Sequence, residues 1–347
     1  MRLIEPLGLL DGPEAAAAIA AGNALSLAGG PLAFSLVRLL PAPGPCPVGD
    51  VPPDWTQALV RLTRPPAAVW LQRPSVMGVL NVTPDSFSDA GDHLDPARAI
   101  AAGLAMTAAG AAIIDVGGES TRPGAAPITP AAEQARILPV IRELARQRVM
   151  ISVDTRNATT MAAAIDAGAA LVNDTSALAH DPEAGPLLAR AAVPVVLMHM
   201  RGTPAGMMAE ARYRDVAVEV TMELASRLAF AERAGIARER ILLDPGIGFA
   251  KTAEHNLELL SRLPVLLNLG CPLVLGVSRK RFIGRISGEA VPSRRLAGSL
   301  AAAMFGLARG AAILRVHDVS ETIQALRIWQ ALAQTPLASL SFALAGG

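Results

Sequence analysis

The sequence predicts an α/β chain: a (β/α)8 TIM barrel over residues 76–335, preceded by an N-terminal extension. Three observations carry this reading. Eight short apolar runs recur from residue 76 onward, each ending in polar or glycine-rich residues. The runs are continuous rather than alternating, as expected of parallel strands buried on both faces. Longer segments with helix signals separate them, and eight such units in 260 residues match the usual barrel size of ~250 residues. An open doubly wound sheet is the alternative, but eight strands without a clear dinucleotide fingerprint favour closure.

Taken in order, residues 1–75 stand outside the rhythm. They hold an alanine-rich helical piece (14–21), an apolar stretch (24–40) broken by Gly29, Gly30 and Pro31, and a proline-rich link, PAPGPCPVGDVPPDW. The extension is expected to pack over the barrel, with the link as a connector rather than a domain. The predicted strands are 76–80, 111–116, 149–153, 170–172, 193–198, 241–243, 272–277 and 311–316. Asp95-Pro96, Thr129-Pro130 and Asp181-Pro182 each place a capping residue before a proline suited to the first helical position. Val216, Val220, Leu224 and Leu228 recur every four residues, with Gly235 as a C-terminal stop. Residues 336–347 read as a tail.

Composition narrows the function classes. The chain is 52% hydrophobic with 31 basic and 30 acidic side chains, which argues against disorder and against a nucleic-acid partner. The stretch 24–40 is too short and too interrupted to span a membrane, and Glu5 and Pro6 interrupt any signal-peptide core. Cys46 and Cys271 make no disulfide framework or zinc spacing, so the cytoplasm is the expected compartment. Only Lys251 and Lys280 are lysines, against 29 arginines. A lysine in such a chain marks a position that wants a compact ammonium.

In such barrels the site lies at the C-terminal strand ends. Those ends hold Asn81, Asp115, Asp154, Asn173, Asp244, Lys280, Arg315 and His317. Asp154, Asn173, Asp244 and Lys280 suit a planar amino-pyrimidinone, whose N–H groups carboxylates accept and whose carbonyl an ammonium meets. Arg315 and His317 share one side of the last strand; the first can stack on a ring or clamp phosphate, the second can donate to an oxyanion. His199, ending strand five, reads as a packed histidine, and His93, His180 and His255 as surface residues. The loops at 81–89 and 117–124 suit anion contacts or a lid, though either alone could be an ordinary polar turn. Gly246-Ile247-Gly248 lacks the third glycine of a dinucleotide loop, and Lys251-Thr252 lacks the glycine that precedes a P-loop lysine. SRKRFIGR (278–285) is one basic stretch in a neutral chain, weak support for a nucleic-acid patch.

Eight motifs in order, MGVLNVTPDSFSD (77–89), DVGGESTRPG (115–124), SVDT (152–155), VNDTS (172–176), LMHMRGTP (197–204), LDPGIGFAK (243–251), GVSRK (276–280) and RVHDV (315–319), resemble the dihydropteroate synthase family. The resemblance covers roughly 76–335. It implies condensation of 6-hydroxymethyl-7,8-dihydropterin diphosphate with p-aminobenzoate, with Mg2+ as cofactor and a homodimer as the assembly. By this resemblance Asp154, Asn173, Asp244 and Lys280 match pterin-pocket positions, Met198 and Phe249 its walls, and Arg315 the arginine stacked on the pterin. Asn81, Thr121, Arg315 and His317 match diphosphate or magnesium positions, Asn81 being the metal residue. Phe87, Thr121, Pro123 and Ser278 match residues near the aminobenzoate, and Arg122 joins them as substrate-binding. Lys280, Arg315 and His317 are the expected catalytic residues. Ala90 and Ala250 stand where the family often has glycine, which should stiffen their loops. A pterin-binding methyltransferase barrel and a non-catalytic pterin-binding paralogue are the rivals; the first is not expected to combine TPDSFSD, SRK and RVHDV.

Overall fold

The computed structural model describes residues 1–66, 74–83, 95–119, 128–203 and 206–334. Eight parallel strands close into a barrel in the sequence order β5 to β12: Ser75–Asn81, Ile113–Gly117, Ile151–Asp154, Leu171–Asp174, Val195–Met198, Ile241–Asp244, Leu273–Leu275 and Ala311–Val316. β12 closes on β5 through Ile313 opposite Ser75 and Val316 opposite Gly78. Each predicted run contains its strand, apart from one or two residues at the ends.

Period-two geometry explains how the barrel is filled. Met77, Ile113, Leu171, Val196, Leu242, Val274 and Ile313 form a core of their own inside the ring. The residues two further along several of these strands point to the same face, and there the chemistry changes: Ile113 gives way to Asp115, Leu171 to Asn173, Leu242 to Asp244 and Ile313 to Arg315, while Val196 is followed by the still apolar Met198. The outward residues are mostly apolar and pack under the helices; Asp174 is an exception, buried and accepting the N–H groups of Ser176 and Leu178 at 2.7 and 2.8 Å. Val216, Val220, Leu224 and Leu228 are the buried stripe of the helix Val216–Arg233. Continuous apolar runs therefore conceal an inward face that turns polar near its end on β5, β6, β7, β8, β10 and β12.

Caps fix the helices that follow. Asp95 and Thr129 accept Ala97 and Ala132 N–H at 2.9 and 3.2 Å. Asp181 departs from the expectation: its helix begins three residues later, at Ala184–Ala191. Its carboxylate instead accepts Glu183 N–H at 3.0 Å and, at 2.8 Å, the N–H of Ala158, the first residue of the neighbouring helix.

The extension is a small antiparallel sheet. β1 (Leu3–Leu10) pairs with β3 (Ala33–Leu40), which also pairs with β2 (Leu25–Ser26) and β4 (Pro45–Pro47). The proline-rich link is thus more than a connector, since Cys46 lies opposite Val37 in the sheet. Its prolines are tolerated because β4 is a short edge strand. Asn268 receives Ile4 N–H at 3.0 Å and returns a hydrogen bond to Ile4 C=O at 2.7 Å, acting as a side-chain partner for the free edge of β1. Arg262 reaches Glu5 with two N–H groups, at 2.8 and 3.2 Å. Ile4, Phe34, Val37 and Leu62 join one core with Leu263, Leu266 and Leu267. The segment Leu263–Leu269 lies just before β11, so the extension docks at the barrel end opposite the polar face.

Candidate active site

At the C-terminal mouth the inward polar residues form one network. Arg315 donates through Nε to Asp115 Oδ2 and through Nη2 to Asp154 Oδ2, both at 2.6 Å. Asn173 donates to the same Asp115 oxygen at 3.0 Å. Asp115 is wholly buried, two residues beyond Ile113 on the inward face of β6. Burial pushes the Asp154 carboxyl up to about 7, against the pull of Arg315; Asp115 and Glu133 push it further. Burial works against the Arg315 cation, but Asp115 and Asp154 outweigh it and raise its pKa.

A second group faces this network. Burial raises the Asp244 carboxyl, against Lys280 and an N–H bond from Gly246 at 2.7 Å. Burial lowers the Lys280 ammonium to about 8, against the pull of Asp244. Lys280 donates to Ile247 C=O, and its Nζ lies 5.0 Å from the centre of the Phe249 ring, a cation–π distance. Met198 stands beside Asp244 in the strand register. Space around the lysine is narrow: a methyl group on Gly248 would come within 3.2 Å of its Cδ, and one on Gly276 within 3.7 Å of Nζ.

The remaining predicted residues sit on the rim. Ser278 Oγ lies 3.0 Å from His317 Nδ1 and accepts the His317 N–H at 3.3 Å. Asn81 ends β5 opposite Gly117, which lies opposite Asp154, which lies opposite Asn173, so these four share one level of the barrel. Phe87, Thr121, Arg122 and Pro123 lie outside the described residues, as do Ala90, His93 and most of both proposed lid loops. Ala250 has a left-handed backbone, φ 49°, which accounts for the frequent glycine at that position. Among the described residues no cluster of three or more histidine, cysteine or acidic side chains could hold a metal.

Sequence reasoning noticed Asp115 at a strand end but left it out of the site, whereas it is the hub for Arg315 and Asn173. It also left Lys251 unplaced. This lysine is buried and donates to Gly246 C=O and Phe249 C=O, both at 3.0 Å, and lies 2.9 Å from His199 Nδ1. His199 is packed, as expected, with Nε2 2.9 Å from Glu223. His180 is exposed, but His255 is half-buried and shares a reciprocal cap with Thr252, so only the first behaves as a surface residue.

Comparison with known proteins follows the same boundaries. A family model described as pterin binding enzyme matches residues 77–317. The Escherichia coli K12 dihydropteroate synthase is 46% identical over 262 residues, covering 75% of this chain and 92% of that protein. The Mycobacterium leprae dihydropteroate synthase is 48% identical over 260 residues, covering 73% and 91%. The Xanthomonas albilineans dihydropteroate synthase solved with 4-aminobenzoic acid superposes with a TM-score of 0.72 at 47% identity, covering 76% and 95%. The structure of that enzyme in complex with 7,8-dihydropteroate gives 0.70 at 44%, with the same coverage. Among the described residues, no helix is long and apolar enough to cross a membrane.

Proposed function

The chain belongs to the dihydropteroate synthase family of pterin-binding enzymes, and we propose from this how its residues share the reaction. It is a transferase that joins 6-hydroxymethyl-7,8-dihydropterin diphosphate to p-aminobenzoate, forming 7,8-dihydropteroate and diphosphate in folate biosynthesis. The observation that carries the residue assignment is the polar turn of the barrel's inner face, which collects Asp154, Asn173, Asp244 and Arg315 at one mouth beside Lys280.

Asp154 and Asp244 accept the N–H groups of the pterin edge, Asn173 supplies a further polar contact, and Lys280 donates to the ring carbonyl. Asp115 and Asp154 bind one edge of the Arg315 guanidinium, so its orientation is set before substrate arrives. Its remaining N–H groups and flat face serve the pterin ring and the departing diphosphate. His317, held through Nδ1 by Ser278, presents Nε2 to a diphosphate oxygen. As the C–O bond breaks, negative charge grows on the leaving group, where these cationic and N–H donors stabilise it. The positive charge left on the methylene is conjugated with the pterin and favoured by the buried carboxylates. The aryl amine then attacks and sheds one proton as the C–N bond forms; it needs positioning more than activation.

Mg2+ fits by donor chemistry. This ion takes few protein oxygens and completes its shell with substrate phosphates and water, and Asn81 offers an amide oxygen at the level of Asp154. When bound it neutralises the diphosphate as a Lewis acid. A homodimer is supported by Phe305, Ile328 and Leu332, large apolar side chains left exposed on the helices Leu296–Leu307 and Val319–Gln334, which pack on each other. The free thiols of Cys46 and Cys271 suit a reducing cytoplasm.

The test is diphosphate release with and without p-aminobenzoate and Mg2+. Release that requires both supports this assignment. Binding of the pterin diphosphate without any release would make the chain a pterin-binding paralogue and overturn it.

A further inference from the structure

The loop Pro245–Ala250 carries Phe249 and lies against Asp244 and Lys280, and its backbone path is one that only glycine takes easily. Gly246, Gly248 and Ala250 all have left-handed φ values, 67°, 85° and 49°. At Gly246 no side chain is possible, because a Cβ would lie 1.9 Å from His199 C=O. N–H groups of the loop are taken by Asp244 (from Gly246), Asn256 (from Gly248) and Gly246 C=O (from Phe249), and the only two lysines of the chain take its carbonyls from opposite sides. Lys280 takes Ile247 C=O from the side of the site. Lys251 takes the carbonyl just before it, Gly246, and the one two residues after it, Phe249.

The Lys251 ammonium has three protons and meets three acceptors. Two are these carbonyls and the third is His199 Nδ1. His199 can accept there because burial and the Lys251 cation push its pKa down to about 4, keeping the imidazole neutral, while its Nε2–H goes to Glu223. Glu223 is held in turn by Arg201, whose guanidinium lies 3.9 Å over the Tyr213 ring. His199 N–H also donates to Asp244 C=O at 2.9 Å, which ties the end of β9 to the end of β10. Burial lowers the Lys251 pKa to about 7, against the pull of Asp244, and in the protonated form each ammonium proton has an acceptor. A guanidinium has no such set of three diverging protons on one atom.

We propose that Lys251 is a positioning residue for the pterin substrate: its ammonium closes the 245–250 loop and thereby fixes the Asp244 carboxylate and the Phe249 ring. The proposal rests on the reading of this mouth as a pterin pocket, which wild-type diphosphate release tests separately. The experiment uses the full-length enzyme and Lys251→Met, with KM measured for each substrate and amide hydrogen exchange followed by peptide. Exchange needs no turnover, so it reports on the loop even if the substrate assignment fails. The expected result is at least a tenfold rise in KM for the dihydropterin diphosphate, with the p-aminobenzoate KM within twofold of wild type. Exchange of the 245–251 amides should accelerate at least tenfold while 151–154 and 171–174 stay protected. Unchanged exchange in the loop overturns the proposal, and so does an equal rise in both KM values with faster exchange throughout the barrel. If Lys251→Met does not fold, Lys251→Gln keeps two donors on a shorter arm, and wild-type values in that variant equally overturn it.

Discussion

Replacing Lys280 by arginine conserves charge and should nevertheless cost most of the activity. The lysine is half-buried, donates to Ile247 C=O and sits 5.0 Å from the Phe249 ring centre, with Gly248 packed close to its stem and Gly276 close to Nζ. A guanidinium is larger and planar, and forcing extra atoms into a filled space costs ~1–3 kcal/mol. At 1.4 kcal/mol per factor of ten, this is a roughly 5- to 150-fold loss in pterin affinity or kcat/KM. Arg281, the next residue, is exposed at the start of the helix Arg281–Ser287, so Arg281→Lys is the control and should be nearly silent. The pH profile separates charge from shape. The Lys280 pKa falls from its ordinary 10.5 to about 8, so wild-type pterin binding weakens as the pH rises through 8 and the ammonium loses its proton. Arginine keeps its charge there, and the limb near pH 8 should vanish from what binding remains. Unfolding cannot imitate this, because a lysine depressed in the folded state leaves the unfolded chain with more bound protons between pH 8 and 10.5, and stability rises across that window. Calorimetric titration of both variants with the pterin diphosphate across pH 6.5–9.5 is the assay. Near-wild-type affinity in Lys280→Arg would refute the steric reasoning and the role given to this lysine.

Asp154→Asn and Asp244→Asn should each weaken pterin binding by ~1.5–3 kcal/mol, the worth of a charged hydrogen bond; unchanged affinity by titration removes that residue from the site. Because the Asp154 carboxyl titrates near 7 when folded rather than 3.8, its contribution to stability is present below 3.8 and is lost as pH rises to 7. The Asn variant should flatten that slope in chemical denaturation. Asp115→Asn leaves Arg315 with one carboxylate, and breaking a buried pair costs ~3–5 kcal/mol. It should lower both Tm and turnover, although Asp115 need not touch substrate. Ala250→Gly relieves a left-handed alanine and should raise stability by about 0.5–1 kcal/mol, seen as a higher midpoint in urea.

The eight strands were readable because each is a mostly apolar run that stops at polar or glycine-containing residues, five of them ending in Asp, Asn or Gly. The same continuity hid which residue of each run faces inward. Asp115 illustrates this: in IIDVG it looks like a lone acid near a strand end, and its partner Arg315 is 200 residues away. Asp154, Asn173 and Asp244 were easier, since Asp154 and Asp244 end their strands and Asn173 sits one residue short of the end of its own. Lys251 was marked by the lysine count, but its acceptors are two carbonyls and a histidine ring, none of which leaves a trace in spacing. The strands of the extension escaped for another reason. β3 lies within a stretch that reads as a broken apolar run, and Pro45–Pro47 is a sequence that seldom pairs.

The docking of the extension has a consequence for biosynthesis. Glu5 meets Arg262, and Ile4 meets Asn268, across 257 and 264 residues of chain. At translation rates of about 5–20 residues per second, β1 emerges from the ribosome roughly 10–50 s before its partners exist. Through that interval the face carrying Ile4, Phe34 and Val37 lacks Leu263, Leu266 and Leu267 to cover it. A segment made well before its partners is therefore among the last to be secured. Slow elongation lengthens the time in which nascent chains can associate through that face, and chaperone capture of the first 75 residues shortens it.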